Sequence, residues 1–277
     1  MTSTGTWRSL LFVPGDRPER MAKAAGCGAD ALILDLEDSV AASAKPAARE
    51  AVAAFLREPR VLPLVVRVNP LDSGLVEDDL AAVLPARPDA LMLPKAEGAA
   101  SVAALATRAG LPILPVATET PAAIFQLGSY AGVAQHLAGL TWGAEDLPAA
   151  IGATSAREAD GGYTAPYQLA RALTLFGAHA AGVAAIETVF PDFRDLDALA
   201  AYAGRGRRDG FTGMMAIHPA QVPVINATFT PSDAERAAAQ AIVDLFAANP
   251  GAGALQLAGR MVDAPHLKQA RRILGLA

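Results

Sequence analysis

Residues 31–37 read ALILDLE. Four apolar side chains run without a polar break, followed by an acid, a leucine and a second acid. A strand with one wet face alternates polar and apolar residues, because successive side chains point to opposite faces. An unbroken apolar run is the pattern of a strand covered on both faces, as in a parallel sheet flanked by helices. Asp35, Glu37 and the neighbouring Asp38 then gather three acids where that strand ends.

Outward from this run the chain repeats the pattern in SLLFVPG (9–15), LPLVVRV (62–68), ALMLPK (90–95), LPILPVA (111–117), LAGLTWG (137–143), AAIETVF (184–190) and GMMAIHP (213–219). Each run is bounded by Gly, Pro or charge, as strands are. Ala-rich segments of helical spacing lie between them, among them PERMAKAAG, AAREAVAAFL and EGAASVAALATRAG. Asp16 before Pro18, Ser43 before Pro46 and Thr120 before Pro121 read as helix starts. Eight strand–helix alternations predict an α/β fold, a closed (β/α)8 TIM barrel over residues 1–230. An open doubly wound sheet would carry a Gly-rich fingerprint after its first strand, and VPGDRPER is not one. Residues 231–277 exceed what a barrel needs. They read as a helix (SDAERAAAQAIVDLF), a Gly-rich linker (NPGAGALQLAG) and an amphipathic segment (APHLKQARRILGL). The expectation is a C-terminal helical extension, a lid on its own or a neighbouring barrel.

Hydrophobic residues make up 52% of the 277, and charged residues 18% against a typical quarter or so, which predicts a large core. The net charge of −5 argues against a nucleic-acid surface. The lone Cys27 excludes an internal disulfide and suits a reducing cytoplasm, the expected location. MTSTGTWRSLLFVPGDRPER lacks the charged n-region and cleavage site of a signal peptide. Residues 120–144 are uncharged and long enough to span a bilayer, but their Pro, Gly, Gln and His residues break them into helix-like and strand-like halves.

In such a barrel the active site lies at the C-terminal strand ends. The residues there are Arg17, Glu37, Asp38, Arg67, Asn69, Lys95, Glu119, Asp146, Glu187 and His218. Glu119 and Asp146 offer hard oxygens of the kind magnesium takes, one or two carboxylates beside substrate and water; equally, each could simply open a helix. Arg67 has the planar fork that grips a carboxylate, or it makes an internal ion pair with Glu37 or Glu119. The acids of DLEDSV could coordinate waters, orient Arg67, act as a base, or form a solvated loop. His218 alone reads as structural. No HExxH, CxxC or GxSxG is present, so zinc-hydrolase and serine-hydrolase readings have no support.

The stretches RSLLFVPGDRPERM, GADALILDLEDSV, VVRVNPLDS, LMLPKAE, ATETPAA, GLTWGAEDLPAAIGA and GFTGMMAIHPAQ run in this order along the chain. Together they resemble the HpcH/HpaI aldolase superfamily, in its citrate lyase beta-subunit-like branch near the malyl-CoA and citramalyl-CoA lyases. The resemblance implies a TIM barrel with Mg2+ held by Glu119 and Asp146, and a substrate bound by Arg67 and Glu119. FVPGDRP looks like a coenzyme A contact, which brings in Phe12 and Arg17. GRMVDAPHLKQA resembles a C-terminal motif whose aspartate, here Asp263, acts as acid and base over a neighbouring subunit's site. A homo-oligomer, a trimer or hexamer, is implied with it. Met214 stands where some relatives carry lysine. The four histidines, His136, His179, His218 and His266, fall outside the first two loops, so the histidine–aspartate dyad of the pyruvate-aldolase branch is missing. The expected activity is Mg2+-dependent carbon–carbon cleavage of a short carboxylated 3-hydroxyacyl-CoA, with thioester hydrolysis or synthesis as variants. The alternative is a citrate lyase beta-type subunit acting on an acyl-carrier-protein thioester within a complex.

Overall fold

A computed structural model of the chain describes residues 7–276. Residues 1–6, part of the N-terminal stretch read above for signal-peptide features, and residue 277 lie outside the described residues. The chain divides into two compact units, the first ending at Phe229 and the second beginning at Thr230.

The first unit alternates β1 (Ser9–Pro14), α1 (Pro18–Ala24), β2 (Ala31–Asp35), α2 (Lys45–Arg57), β3 (Leu64–Arg67), α3 (Val76–Val83), β4 (Ala90–Leu93) and α4 (Ala99–Ala109). It continues with β5 (Ile113–Pro115), α5 (Pro121–Ile124), β6 (Leu140–Thr141), α6 (Asp146–Ile151), α7 (Ala165–Ala181), β7 (Ala185–Glu187), α8 (Leu196–Asp209), β8 (Gly213–Ala216) and α9 (Gln221–Phe229). All eight strands fall inside the runs marked from sequence. They pair in parallel in the order β5-β4-β3-β2-β1-β8-β7-β6. Parallel bridges Ile113↔Leu137 and Val116↔Thr141 join the two ends of that order. The (β/α)8 barrel is as expected.

Strand periodicity sorts the apolar side chains into two cores. Leu10, Ala31, Ile33, Val65, Ala90, Met92, Leu114, Val116, Ile186 and Met215 point inward and fill the barrel. Their neighbours, such as Leu11, Leu32, Leu34, Val66, Leu91 and Met214, point outward and pack under the helices. Burying one such aliphatic side chain contributes roughly 1.5–3 kcal/mol. The unbroken apolar runs follow from this arrangement, since neither face of a strand meets water. Met214 is therefore a shell residue.

Of the three helix starts read from sequence, only Thr120 caps, its hydroxyl accepting from the Ala123 N–H at 3.2 Å. The residues preceding α1 and α2 are Arg17 and Ala44, and neither forms a side-chain cap. Proline in the first turn supplies the pre-set φ at both.

The second unit comprises α10 (Asp233–Ala248), the antiparallel hairpin β9 (Ala254–Leu257) and β10 (Arg260–Asp263), and α11 (Ala264–Ile273). Ser232 and Glu235 form a capping box at the start of α10. The stretch read as a Gly-rich linker is thus partly strand. Its two-residue turn, Ala258 and Gly259, has positive φ at both positions, 48° and 79°, the conformation that keeps a hairpin's twist. Among the described residues no helix is long and apolar enough to cross a membrane.

Candidate active site

Pairing register builds the first part of the site. In the β2/β3 ladder Asp35 is the partner of Arg67, so both side chains point into the barrel at its C-terminal end. Arg67 closes a two-bond fork on Asp35, Nε to Oδ1 and Nη2 to Oδ2, both at 2.6 Å. The Phe12 ring from β1 lies 4.9 Å from its guanidinium carbon. Burial works against ionisation of Asp35, but the Arg67 guanidinium outweighs it and holds the carboxyl below its usual range.

Two residues on, Glu37 is buried and faces the same interior. Its Oε2 lies 3.0 Å from Arg67 Nη1 yet forms no hydrogen bond, and its Oε1 accepts from Lys95 Nζ at 2.9 Å. Burial pushes this carboxyl up. Arg67 is thus internally paired with Glu37, as one reading of the sequence had it, and with Asp35 as well.

Lys95, just past β4, joins these groups to the next strand exits. Its backbone adopts φ 50°, uncommon for a residue with a side chain, and aims its own N–H at Glu119 Oε2, 2.6 Å away. Its ammonium reaches Glu37 and also lies 3.4 Å from Asp146 Oδ2. Glu119 is 8% exposed. A Cβ at Gly143 would stand 2.8 Å from Glu119 Cγ, so the β6 exit must be glycine for the carboxylate to fit. Burial, reinforced by the charges of Asp146 and Glu37 and opposed by the Lys95 N–H, pushes the Glu119 carboxyl up to about 8. Asp146 opens α6, where the helix N-terminus favours an anion.

The cluster fits a divalent cation on its own chemistry. With all four acids ionised, Asp35, Glu37, Glu119 and Asp146 face, among the described residues, the two cations Arg67 and Lys95, a deficit that one divalent ion neutralises. Buried Glu37 Oε2 lacks a hydrogen bond, and Glu119 resists ionisation; nearby positive charge relieves both. Among the described residues no three His, Cys, Asp or Glu side chains are grouped as a ligand set. A cation here would rest on the Glu119 and Asp146 carboxylates and complete its shell from substrate and water, the habit of magnesium rather than structural zinc.

Other residues read from the strand ends lie elsewhere. Glu187 follows inward-facing Ile186 and so points outward, where it meets Trp142 Nε1 at 2.5 Å, Arg171 Nε at 2.7 Å and the Tyr202 hydroxyl at 3.0 Å. Asn69 is tied to Asp79 and Lys45 in a buried shell network. His218 is exposed and stacks on Phe193 with ring centroids 4.8 Å apart. Arg17 is 54% exposed, its Nε 3.7 Å from Asp16. In the second unit, Asp263 precedes α11 and its Oδ1 lies 2.5 Å from His266 Nδ1. That contact holds the Asp263 carboxyl below its usual range. Sequence reading placed Lys95 at a strand exit without giving it a role, and did not pair His266 with Asp263. The i, i+3 spacing after a helix-opening aspartate was the available signal for the latter.

A closed parallel barrel with a charged cluster at its C-terminal strand ends defines a TIM-barrel enzyme. The chain belongs to the HpcH/HpaI aldolase/citrate lyase family, whose sequence pattern matches residues 8–219. It is 38% identical over 264 residues to a citrate lyase subunit beta-like protein of Mycobacterium tuberculosis, covering 95% of this chain and 93% of that one. It is 33% identical over 296 residues to human mitochondrial citramalyl-CoA lyase, covering 98% and 85%. Among solved structures it is similar to the CitE protein of M. tuberculosis in complex with magnesium, acetoacetate and coenzyme A, with TM-score 0.86, 36% identity and 99% of both chains covered.

Proposed function

We propose that the chain is a Mg2+-dependent lyase that cleaves a short carboxylated 3-hydroxyacyl-CoA, of malyl- or citramalyl-CoA type, into acetyl-CoA and a 2-oxo acid. The observation that carries this reading is the convergence of Arg67, Glu119 and Asp146 from three strand exits, linked through Glu37 and Lys95. The human relative's name and the magnesium and coenzyme A bound by the mycobacterial relative support it.

Glu119 and Asp146 would hold the magnesium ion, which when bound supplies Lewis-acid polarisation of a substrate oxygen. Arg67 binds the substrate carboxylate: Asp35 holds one edge of its fork and fixes its plane, and the guanidinium has donors left over. Phe12 backs the same guanidinium, and Phe12 with Arg17 would contact the coenzyme A portion. As the substrate hydroxyl passes its proton to solvent water, the bond to the carbon next to the thioester breaks, its electron pair moving onto that carbon, and the 2-oxo acid and the acetyl-CoA enolate are released. Asp263 gives a proton to the enolate carbon, and in the synthetic direction removes it. Enclosure of the site by the C-terminal unit of the same or a neighbouring subunit would exclude water, and a homo-oligomer is part of this reading.

The test is a panel of CoA esters with Mg2+, with acetyl-CoA and free CoA quantified separately. Acetyl-CoA and 2-oxo acid in equal amounts, abolished by EDTA and restored by Mg2+, is the expected result. Free CoA alone identifies a thioesterase, and turnover only of a carrier-protein thioester identifies a citrate lyase-type subunit.

A further inference from the structure

We propose that Lys95 is an internal counter-ion of the metal site, competing with the divalent cation for Asp146 and so limiting how tightly the metal is held. This rests on the reading of Glu119 and Asp146 as the metal ligands.

The geometry makes Lys95 the hub of the cluster. Its N–H is committed to Glu119 Oε2 at 2.6 Å, and φ 50° puts the root of its side chain beside that carboxylate. From there the ammonium reaches Glu37 Oε1 at 2.9 Å and Asp146 Oδ2 at 3.4 Å. A cation bound by both Glu119 and Asp146 therefore meets a fixed positive charge against one of its ligands.

Two opposing effects of Lys95 need weighing. It could order Asp146 and help the metal, or neutralise Asp146 and hinder it. The 3.4 Å contact exceeds the 2.7–3.2 Å of a formed N–H···O bond. Asp146 is also the first residue of α6, so its backbone is placed by the helix. Ordering by Lys95 is thus slight, whereas its charge, screened only in part, still acts over this distance. Competition prevails. Glu37 is the stronger anchor, and it keeps the ammonium in the site when Asp146 turns to the metal.

The experiment is calorimetric titration of the full chain with Mg2+, without substrate, at low ionic strength. Lys95→Met is expected to bind Mg2+ about tenfold more tightly than the parent, given partial exposure of both groups. An unchanged or weaker Kd overturns the proposal. Glu119→Gln and Asp146→Asn are titrated alongside: if both still bind Mg2+ like the parent, the assignment of the metal ligands fails. If both lose binding and Lys95→Met gains nothing, only the counter-ion role fails. Should Lys95→Met not fold with Glu37 left unpaired, the comparison moves to Glu37→Gln against Glu37→Gln/Lys95→Met. The double variant must bind Mg2+ more tightly than the single one, or the proposal falls.

Discussion

Arg67 pairs with two buried acids and, in the proposed function, also grips a substrate carboxylate. Its fork is spent on Asp35, so the shape of the guanidinium matters as much as its charge. Arg67→Lys keeps the charge but cannot hold Asp35 at two points and reach outward as well. We expect kcat/KM to fall by about 2–4 kcal/mol of transition-state stabilisation, the scale for a donor facing developing charge. Steady-state kinetics with an unchanged kcat/KM would remove Arg67 from the site. Asp263 raises the matching question of protonation. His266 holds its carboxyl low, so if the carboxylate is the base in the synthetic direction, as proposed, activity should persist to acidic pH and vanish as pH falls through that lowered value. His266→Ala removes the bond and lets the carboxyl titrate higher. The acid limb of the pH profile for condensation should then move to higher pH. A limb that stays in place would separate His266 from Asp263, or Asp263 from the chemistry.

Among the elements, side-chain parity decides which charges enter the site. The run ALILDLE identified β2 from sequence, yet nothing in it says that Asp35 will stand opposite Arg67. That follows from the β2/β3 register, which is set by the barrel's stagger rather than by either strand alone. Parity also explains the misplacement of Glu187. With Ile186 inside, the next side chain lies outside, a conclusion available once the inward residues of β7 are known. Lys95 was visible as a residue type, but its left-handed backbone was not, because Pro94-Lys95 carries no glycine or asparagine to announce it. The hairpin of the second unit was hidden for a related reason, since Ala258 occupies a turn position that usually takes Asn, Asp or Gly. Glu119 and Asp146, in contrast, come shortly after strong apolar runs, so their place at strand exits was legible. The outward Glu187 leads to a stability prediction instead of a catalytic one. Glu187→Ala leaves Arg171 with Asp209 as its remaining carboxylate partner and removes the acceptor for Trp142 and Tyr202. Chemical denaturation should show a loss of about 3–5 kcal/mol, the usual cost of breaking a buried pair from one side. A loss under half of that would mean that the shell relaxes around Arg171.

For the whole molecule, the barrel gathers more negative than positive charge at one end, and that imbalance couples metal, pH and stability. The Glu119 carboxyl is pushed from 4.5 to about 8, so the folded chain holds this proton more tightly than the unfolded chain does. Its contribution to stability therefore declines as pH rises from about 4.5 to about 8. If Mg2+ engages the ionised carboxylate as proposed, it should offset that decline. Thermal melts should show a small Mg2+-induced rise in Tm near pH 5 and a larger one near pH 8; equal shifts would dissociate Glu119 from the metal. A short unit beginning at Thr230, with its own hairpin and a capped first helix, carries the proposed acid, while the barrel carries the proposed metal ligands and Arg67. Asp263→Asn should keep the fold and Mg2+ binding while kcat drops sharply, because asparagine opens a helix nearly as well as aspartate but cannot exchange a proton. An unchanged kcat would make Asp263 a helix-opening residue and nothing more. Glu119→Ala should be inactive for the opposite reason, with its tail intact and its metal site broken. If the tail serves a neighbouring barrel, mixing the two inactive chains under conditions of proven subunit exchange pairs a sound barrel with a sound tail, and part of the activity returns. No recovery in fully exchanged oligomers would leave the tail acting on its own barrel, or not at all, and would remove the catalytic reason for an oligomer.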